Sequence, residues 1–137
     1  MPFTIVPSEI FTPESWRWNE WFSKLSAIGT WVPTFTGLTV VLGAGSVAYA
    51  GRWQRVQGIV KFTVMVTPAG GATVASVAGT TYHDLPFIPA QSGCSAMADL
   101  TALLGIGTGI ITTTGRNYVP TKTATTDTLV ISGSFEY

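Results

Sequence analysis

Hydrophobic and polar residues alternate with a period of two along most of the chain after Gly29. The alternation is clearest over residues 59–66 and 129–137, and this period is typical of half-buried β-strands. Glycine and proline interrupt the pattern repeatedly, which predicts roughly eight short strands at spacings of roughly 8–15 residues. That arrangement favours a β-sandwich or barrel. The candidate strand segments are TWVPTF, LTVVL, SVAYA (ending at Gly51), RWQRVQGIVKFTVMV (the longest), ATVASVAG, TYHDLPFIP, CSAMADLTAL, GIGTGIITTTG and LVISGSFEY.

The N-terminal region has a different period. Thr12 can cap a helix, Pro13 suits its first position, Glu14 complements its dipole, and Gly29 can end it. The sequence therefore predicts one helix over residues 13–28. Its apolar stripe follows i, i+3, i+4, i+7 spacing and comprises Trp18, Trp21, Phe22, Leu25 and Ile28.

Residues 1–11 contain Pro2 and Pro7 and are predicted to form an extended arm. Two interpretations of the arm and helix stay open. The helix can close the core of its own domain, or its aromatic surface can contact another chain. The second interpretation is favoured because Trp16 falls beside the stripe. The predicted interaction residues are Phe3, Ile5, Phe11, Trp16, Trp18, Trp21, Phe22, Arg52 and Trp53.

The pair Arg52 and Trp53 also has two interpretations, because Arg55 flanks the ring as well. Either the arginine stems cover the indole on a strand with one solvent-facing side, or the group contacts another protein.

Charge is sparse and unevenly distributed. Charged residues make up 10% of the 137 residues, the net charge is zero, and between Phe62 and Gly115 the only charges are Asp84 and Asp99. A surface with so few charges favours association with other chains. Nothing supports nucleic-acid binding, which needs a basic face. We expect no signal peptide, no membrane span and, with one cysteine, no internal disulfide.

Candidate chemistry is weak. Gly43, Gly45 and Ala48 match a dinucleotide-binding fingerprint, but no acidic residue occurs between positions 20 and 84, so a glycine-rich hairpin turn is the better interpretation. His83 could form a triad with Ser92 or a dyad with Cys94. A polar pair of His83 and Asp84 at a strand end is favoured instead. We therefore expect no catalytic residue, no metal site and no cofactor.

Four segments follow one another along the second part of the chain: Trp31, Pro33 and Phe35; Gly51, Trp53, Val56, Gly58 and Val60; Leu85, Pro86 and Phe87; and Thr128 to Gly133. In this order they resemble small jelly-roll modules of tailed bacteriophages, which occur in capsid decoration or cement proteins, head fibres and tail receptor-binding proteins. The resemblance covers about residues 30–137, while residues 90–127 match nothing recognisable. It implies homotrimers without enzymatic activity.

The expected fold is all-β, a jelly-roll-like antiparallel β-sandwich over residues 30–137, preceded by the arm and helix of residues 1–29. The expected function is that of a homotrimeric decoration or cement protein on the virion, with the major capsid protein or other virion proteins as partners and residues 1–28 as the attachment element. A short chain with its own initiating methionine favours this version. The alternative is a tail or head-fibre receptor-binding module that contacts a host-surface glycan.

Overall fold

The computed structural model describes residues 26–137, and every regular element in that range is a β-strand, so the described part of the chain is all-β. The described residues form twelve strands, which is more than the sequence pattern predicted, because several of the strands are only two to four residues long. The strands are β1 (Ser26–Trp31), β2 (Phe35–Thr36), β3 (Thr39–Val41), β4 (Ser46–Val56), β5 (Ile59–Ala69), β6 (Thr73–Ser76), β7 (Tyr82–Asp84), β8 (Gly93–Asp99), β9 (Leu104–Ile111), β10 (Arg116–Tyr118), β11 (Lys122–Thr125) and β12 (Leu129–Glu136).

The strands form two antiparallel sheets. The large sheet has nine strands in the order β1-β4-β5-β12-β8-β9-β10-β7-β2, and the small sheet has three in the order β11-β6-β3. Strand β12 lies between β5 and β8, so the C-terminal strand occupies the interior of the large sheet. The eight-residue ladder that joins β12 to β5 ties the end of the chain to its middle.

The alternation predicted for β5 and β12 is confirmed. Val60, Phe62, Val64 and Val66 of β5 are buried, while the residues between them are exposed. Strand β12 adds buried side chains from the same face, and β6, β8, β9 and the loops near β7 and β10 complete the core. These further core residues are Leu129, Ile131, Phe135, Val74, Leu85, Met97, Ile111 and Val119.

The large sheet curls over its own inner face. The Phe35 ring of β2 lies 5.5 Å from the Tyr49 ring of β4, and the His83 ring of β7 lies 5.9 Å from the Phe62 ring of β5. These strands stand far apart in the sheet order, so only a curled sheet can bring their rings together. The core therefore lies inside the curl of the large sheet, and Val74 of the small sheet joins it.

A tight turn divides the segment that the sequence predicted as its longest strand. Gln57 and Gly58 have φ angles of 50° and 80°, and they connect β4 to β5 with Val56 paired to Ile59. Positive φ at both central positions is the geometry of a type I′ hairpin turn. The prediction of one continuous strand over this segment is wrong. Gln57 and Gly58 form a turn within a segment whose alternation of polar and apolar residues shows no other interruption.

Gly51 does not end a strand as predicted, because β4 runs through it from Ser46 to Val56. A Cβ atom at Gly51 would lie 2.6 Å from Cε3 of Trp31, which is paired with it across β1 and β4. Gly51 is present because the indole of Trp31 packs over it, not because the chain turns.

The predicted helix lies mostly outside the described residues, as does the arm of residues 1–11. Its last three residues, 26–28, belong to β1, so the prediction is wrong there. Gly29, expected to end the helix, is a strand residue opposite Trp53, and a Cβ atom on it would lie 2.5 Å from Cε2 of that indole. Ile28, assigned to the apolar stripe, is instead 78% exposed.

Candidate interaction surface

Six strands of the large sheet present a continuous surface, which we call the outer face. It consists of the outward-pointing side chains of β1, β4, β5, β12, β8 and β9, opposite the core. The strand register arranges these side chains in rows across the sheet. One row contains Ile28, Gln54, Lys61, Ser134, Cys94 and Ile110, in which Cys94 follows Ser134 by extending the β12–β8 register one residue beyond the Gly133–Ser95 pair. The next contains Thr30, Arg52, Thr63, Ser132, Ala96 and Thr108. A third contains Ala50, Met65, Val130 and Ala98.

The outer face carries few charges and several exposed apolar side chains. Ile28 is 78% exposed and Ile110 is 50% exposed, and Ile59 and Met65 on β5 are also exposed. Its formal charges are Arg52, Lys61 and Glu136, and hydroxyl, amide and small apolar side chains lie among them. A surface with so few charges favours association with another molecule.

Arg52 and Trp53 are adjacent in β4 and therefore point to opposite faces of the sheet. Arg52 belongs to the outer face, whereas Trp53 points inward and meets the Phe87 ring edge-on at 4.8 Å. The guanidinium of Arg55, on the inward side, lies 5.6 Å from the centre of the Phe87 ring. Of the predicted pair, only Arg52 can contribute to the outer face. The other predicted interaction residues lie outside the described residues: Phe3, Ile5, Phe11, Trp16, Trp18, Trp21 and Phe22.

His83 belongs to a buried chain of hydrogen bonds. Its Nδ1–H donates to the backbone oxygen of Asp84 at 2.7 Å, and its Nε2 accepts from the side-chain amide of Asn117 at 3.0 Å. The Oδ1 of Asn117 in turn accepts a hydrogen bond from Ser95 Oγ at 2.7 Å. A side chain at Gly109 would overlap Ser95 Oγ, so this glycine makes room for the network. No local sequence pattern predicts this network, because its members come from three different strands.

The network satisfies buried polar groups and does not assemble the imagined triad or dyad. Cys94 is exposed on the outer face, whereas His83 is fully buried on the inner side, so the two side chains do not meet. Ser92, the serine of the triad, is exposed in the loop before β8, whereas the imidazole is buried and accepts its hydrogen bond from Asn117. Burial lowers the pKa of His83, so the neutral imidazole fits the network near neutral pH.

The glycine-rich segment at residues 43–48 is a turn, but not the hairpin expected from the sequence. Gly45 N donates to Leu42 O, and Ser46 already begins β4, so no helix starts at this loop. The turn connects β3 of the small sheet to β4 of the large sheet, strands that are not paired with each other. The loop therefore lacks the helix that a dinucleotide site requires.

A second surface cluster lies on β7 and β10, beyond the outer face. The rings of Tyr82 and Tyr118 are 5.1 Å apart, and the guanidinium carbon of Arg116 lies 4.6 Å from the centre of the Tyr82 ring. A hydrogen bond with Tyr118 helps to raise the pKa of Arg116, so the guanidinium stays charged. The cluster offers aromatic surface, two phenol hydroxyls and a cation at one place.

Residues 26–137 hold no group of three or more side chains suited to binding a metal ion. The part of the chain that the structure describes has no helix long and apolar enough to cross a bilayer.

Comparisons with known proteins add no relative that would assign the outer face a role. No protein-family model, no curated protein and no solved structure matches this chain.

Proposed function

We propose that this chain is a structural protein of a bacteriophage particle, a capsid decoration or cement protein that assembles into homotrimers through its outer face. The observation that carries the proposal is the exposed, charge-poor side of the large sheet, with Ile28, Ile59, Met65 and Ile110 open to solvent. Single exposed apolar residues are ordinary on a protein surface, but four of them on one charge-poor face favour an interface.

The size of the outer face suits a stable contact between copies. Six strands at a spacing of ~4.8 Å span roughly 24 Å, and the outward residues from Ala48 to Val56 span roughly 27 Å along β4. The projected area is on the order of 650 Å², and side-chain relief adds to it. In a homotrimer this area is divided between two neighbours, and the three contacts together bury on the order of 2,000 Å². Further copies of the chain are the occupants that we assign to this surface.

The phage assignment rests on the resemblance of residues 30–137 to jelly-roll modules. The curled large sheet and the ring contacts of Phe35 with Tyr49 and of His83 with Phe62 support a jelly-roll-like sandwich. Particle attachment, expected for residues 1–28, is assigned to residues 1–25, because residues 26–28 belong to β1 and Ile28 lies on the outer face. Deleting residues 1–11 should leave a folded trimer that binds particles poorly, and full occupancy of the truncated protein on particles would contradict this role.

Light scattering of the full chain tests self-assembly directly. We expect a mass of three 14.5 kDa chains. Met65→Glu should shift this mass to that of a monomer without changing the far-ultraviolet circular dichroism, because the new charge would be buried between copies. Thr113→Glu adds the same charge in the exposed β9–β10 turn and serves as the matched control. A wild-type protein that stays monomeric in light scattering even at high protein concentration would refute the proposal.

The alternative function, receptor binding, is supported by the Tyr82, Tyr118 and Arg116 cluster. Half-buried aromatic rings can still stack on the apolar faces of sugars while the hydroxyls and guanidinium bond to polar groups. A glycan array probed with the full chain tests this function. Binding that Tyr118→Ala abolishes would favour receptor binding, whereas an array without binding would leave the decoration role as the proposal.

A further inference from the structure

The outer face divides into two halves that differ in side-chain length and charge. The β1–β4–β5 half carries the long residues Arg52, Lys61 and Met65, and both of its charges are positive. The β12–β8–β9 half carries mostly serine, alanine and threonine, and its only charge is Glu136. The midline of the face runs between β5 and β12.

We infer that three copies surround a threefold axis that runs along this midline, so that the β1–β4–β5 half of each copy packs against the β12–β8–β9 half of the next. The inference rests on the proposed homotrimer and names the surfaces that meet within it. In a closed ring each copy must offer two different surfaces, one to each neighbour. The two halves of the outer face meet that requirement.

Symmetry then fixes which residues face each other between copies. Rotation about an axis preserves height along it, so partners lie in the same row, at equal distances from the midline. In the first row Ile28 faces Ile110 of the neighbouring copy, Gln54 faces Cys94, and Lys61 faces Ser134.

The other two rows are compatible as well. In the second row Thr30 faces Thr108 and Arg52 faces Ala96. In the third, Met65 faces Val130 and Ala50 faces Ala98. Met65 thus meets an apolar residue, as Ile28 does in the first row, whereas Arg52 meets Ala96 and, beyond the first row, Ile59 meets Glu136. No two like charges oppose each other.

The alternative packing of like halves is electrostatically unfavourable. It would place Arg52 and Lys61 of one copy against the same two cations of another. Like charges brought together at an interface cost affinity and suppress that mode of association. Packing the positive half against the half that carries Glu136 avoids this repulsion.

The chain supplies a native reporter for the inferred contact. Cys94 is its only cysteine and is exposed in the β12–β8–β9 half. Gln54 lies in the same row, three inter-strand steps away in its own chain, which is roughly 14 Å. A disulfide requires Cα atoms within about 7 Å, so a bond between positions 54 and 94 can form only between copies.

Gln54→Cys with native Cys94, under mild oxidation of the full chain, should produce a covalent trimer on a non-reducing gel. Each chain then carries both cysteines, so three inter-chain disulfides close the ring. Wild type, Gln54→Cys in a Cys94→Ala background, and Ile88→Cys, an exposed position outside the outer face, should not give the covalent trimer. Thr30→Cys with Thr108→Cys in the Cys94→Ala background tests the second row independently.

The possible results separate this inference from the proposed function. A covalent trimer in either row supports the threefold arrangement. Covalent dimers alone, or dimers of Gln54→Cys without Cys94, would overturn it in favour of twofold packing. A trimer by light scattering without cross-links in either row would overturn the assignment of the two halves while leaving the homotrimer intact. A monomer by light scattering would remove both.

Discussion

The two faces of β5 carry alternating residues of one strand in opposite environments. Val60, Phe62 and Val64 are almost completely buried on the inner face, whereas Lys61 and Met65 are exposed on the outer face. The inner face explains how the chain folds. The outer face carries fewer charges than a solvent-exposed surface usually does, and this difference is the basis of the proposed contact between copies.

Matched isoleucine truncations should give the largest difference between the two faces. Ile131→Ala removes a side chain that is 1% exposed and should lower the free energy of unfolding by ~2–5 kcal/mol. Ile59→Ala, at 47% exposure on the outer face, should cost less than ~1 kcal/mol. Denaturant unfolding of dilute protein measures both. Equal losses would show that the outer face is as important for folding as the core.

Matched glycine substitutions should give the next largest effect. Gly51→Ala places a methyl group against the Trp31 indole and should cost ~1–3 kcal/mol of stability. Gly105→Ala, in β9, meets nothing within 4 Å and should be close to neutral. Thermal unfolding of the two variants compares them. If Gly51→Ala unfolds at the wild-type temperature, the indole is not seated on the glycine as described.

The smallest effect should be the change of stability with pH, which we attribute to His83 in the buried hydrogen-bond network of the inner face. Because burial lowers the pKa of His83 in the folded state, the unfolded chain takes up a proton first as the pH falls. The stabilising contribution is therefore complete above about pH 6.5 and declines below it. Denaturant unfolding between pH 7.5 and pH 5 should show this decline in wild type. His83→Gln should flatten it, and an unchanged slope in that variant would assign the decline to another group.

The sequence predicted individual strands better than their relationships. Alternation identified β5 and β12, because one face of each meets the core and the pattern records that directly. The predictions that Gly29 ends a helix and Gly51 ends a strand are wrong. A glycine that makes room for a neighbouring ring cannot be distinguished in the sequence from one that ends an element. The curl of the large sheet depends on contacts between distant segments, which no local pattern contains.

The candidate surface was predictable only in part. The scarcity of charge between Phe62 and Gly115 indicated an interface, and Arg52 does lie on the outer face. The sequence could not show that Ile28, Met65 and Ile110 share one surface, because the order of β1, β5 and β9 in the sheet is a tertiary property. The buried network of His83, Asn117 and Ser95 was missed for the same reason.

The two tryptophan–glycine pairs between β1 and β4 select one alignment of the edge strand. Trp31 lies opposite Gly51 and Gly29 lies opposite Trp53, so each indole fits where its partner lacks a side chain. Sliding β1 by two residues would set Trp31 against either Trp53 or Tyr49, and sliding it by one would turn its inner residues outward. β1 is an edge strand with backbone hydrogen bonds on one side only, and the two tryptophan–glycine pairs fix its register against β4.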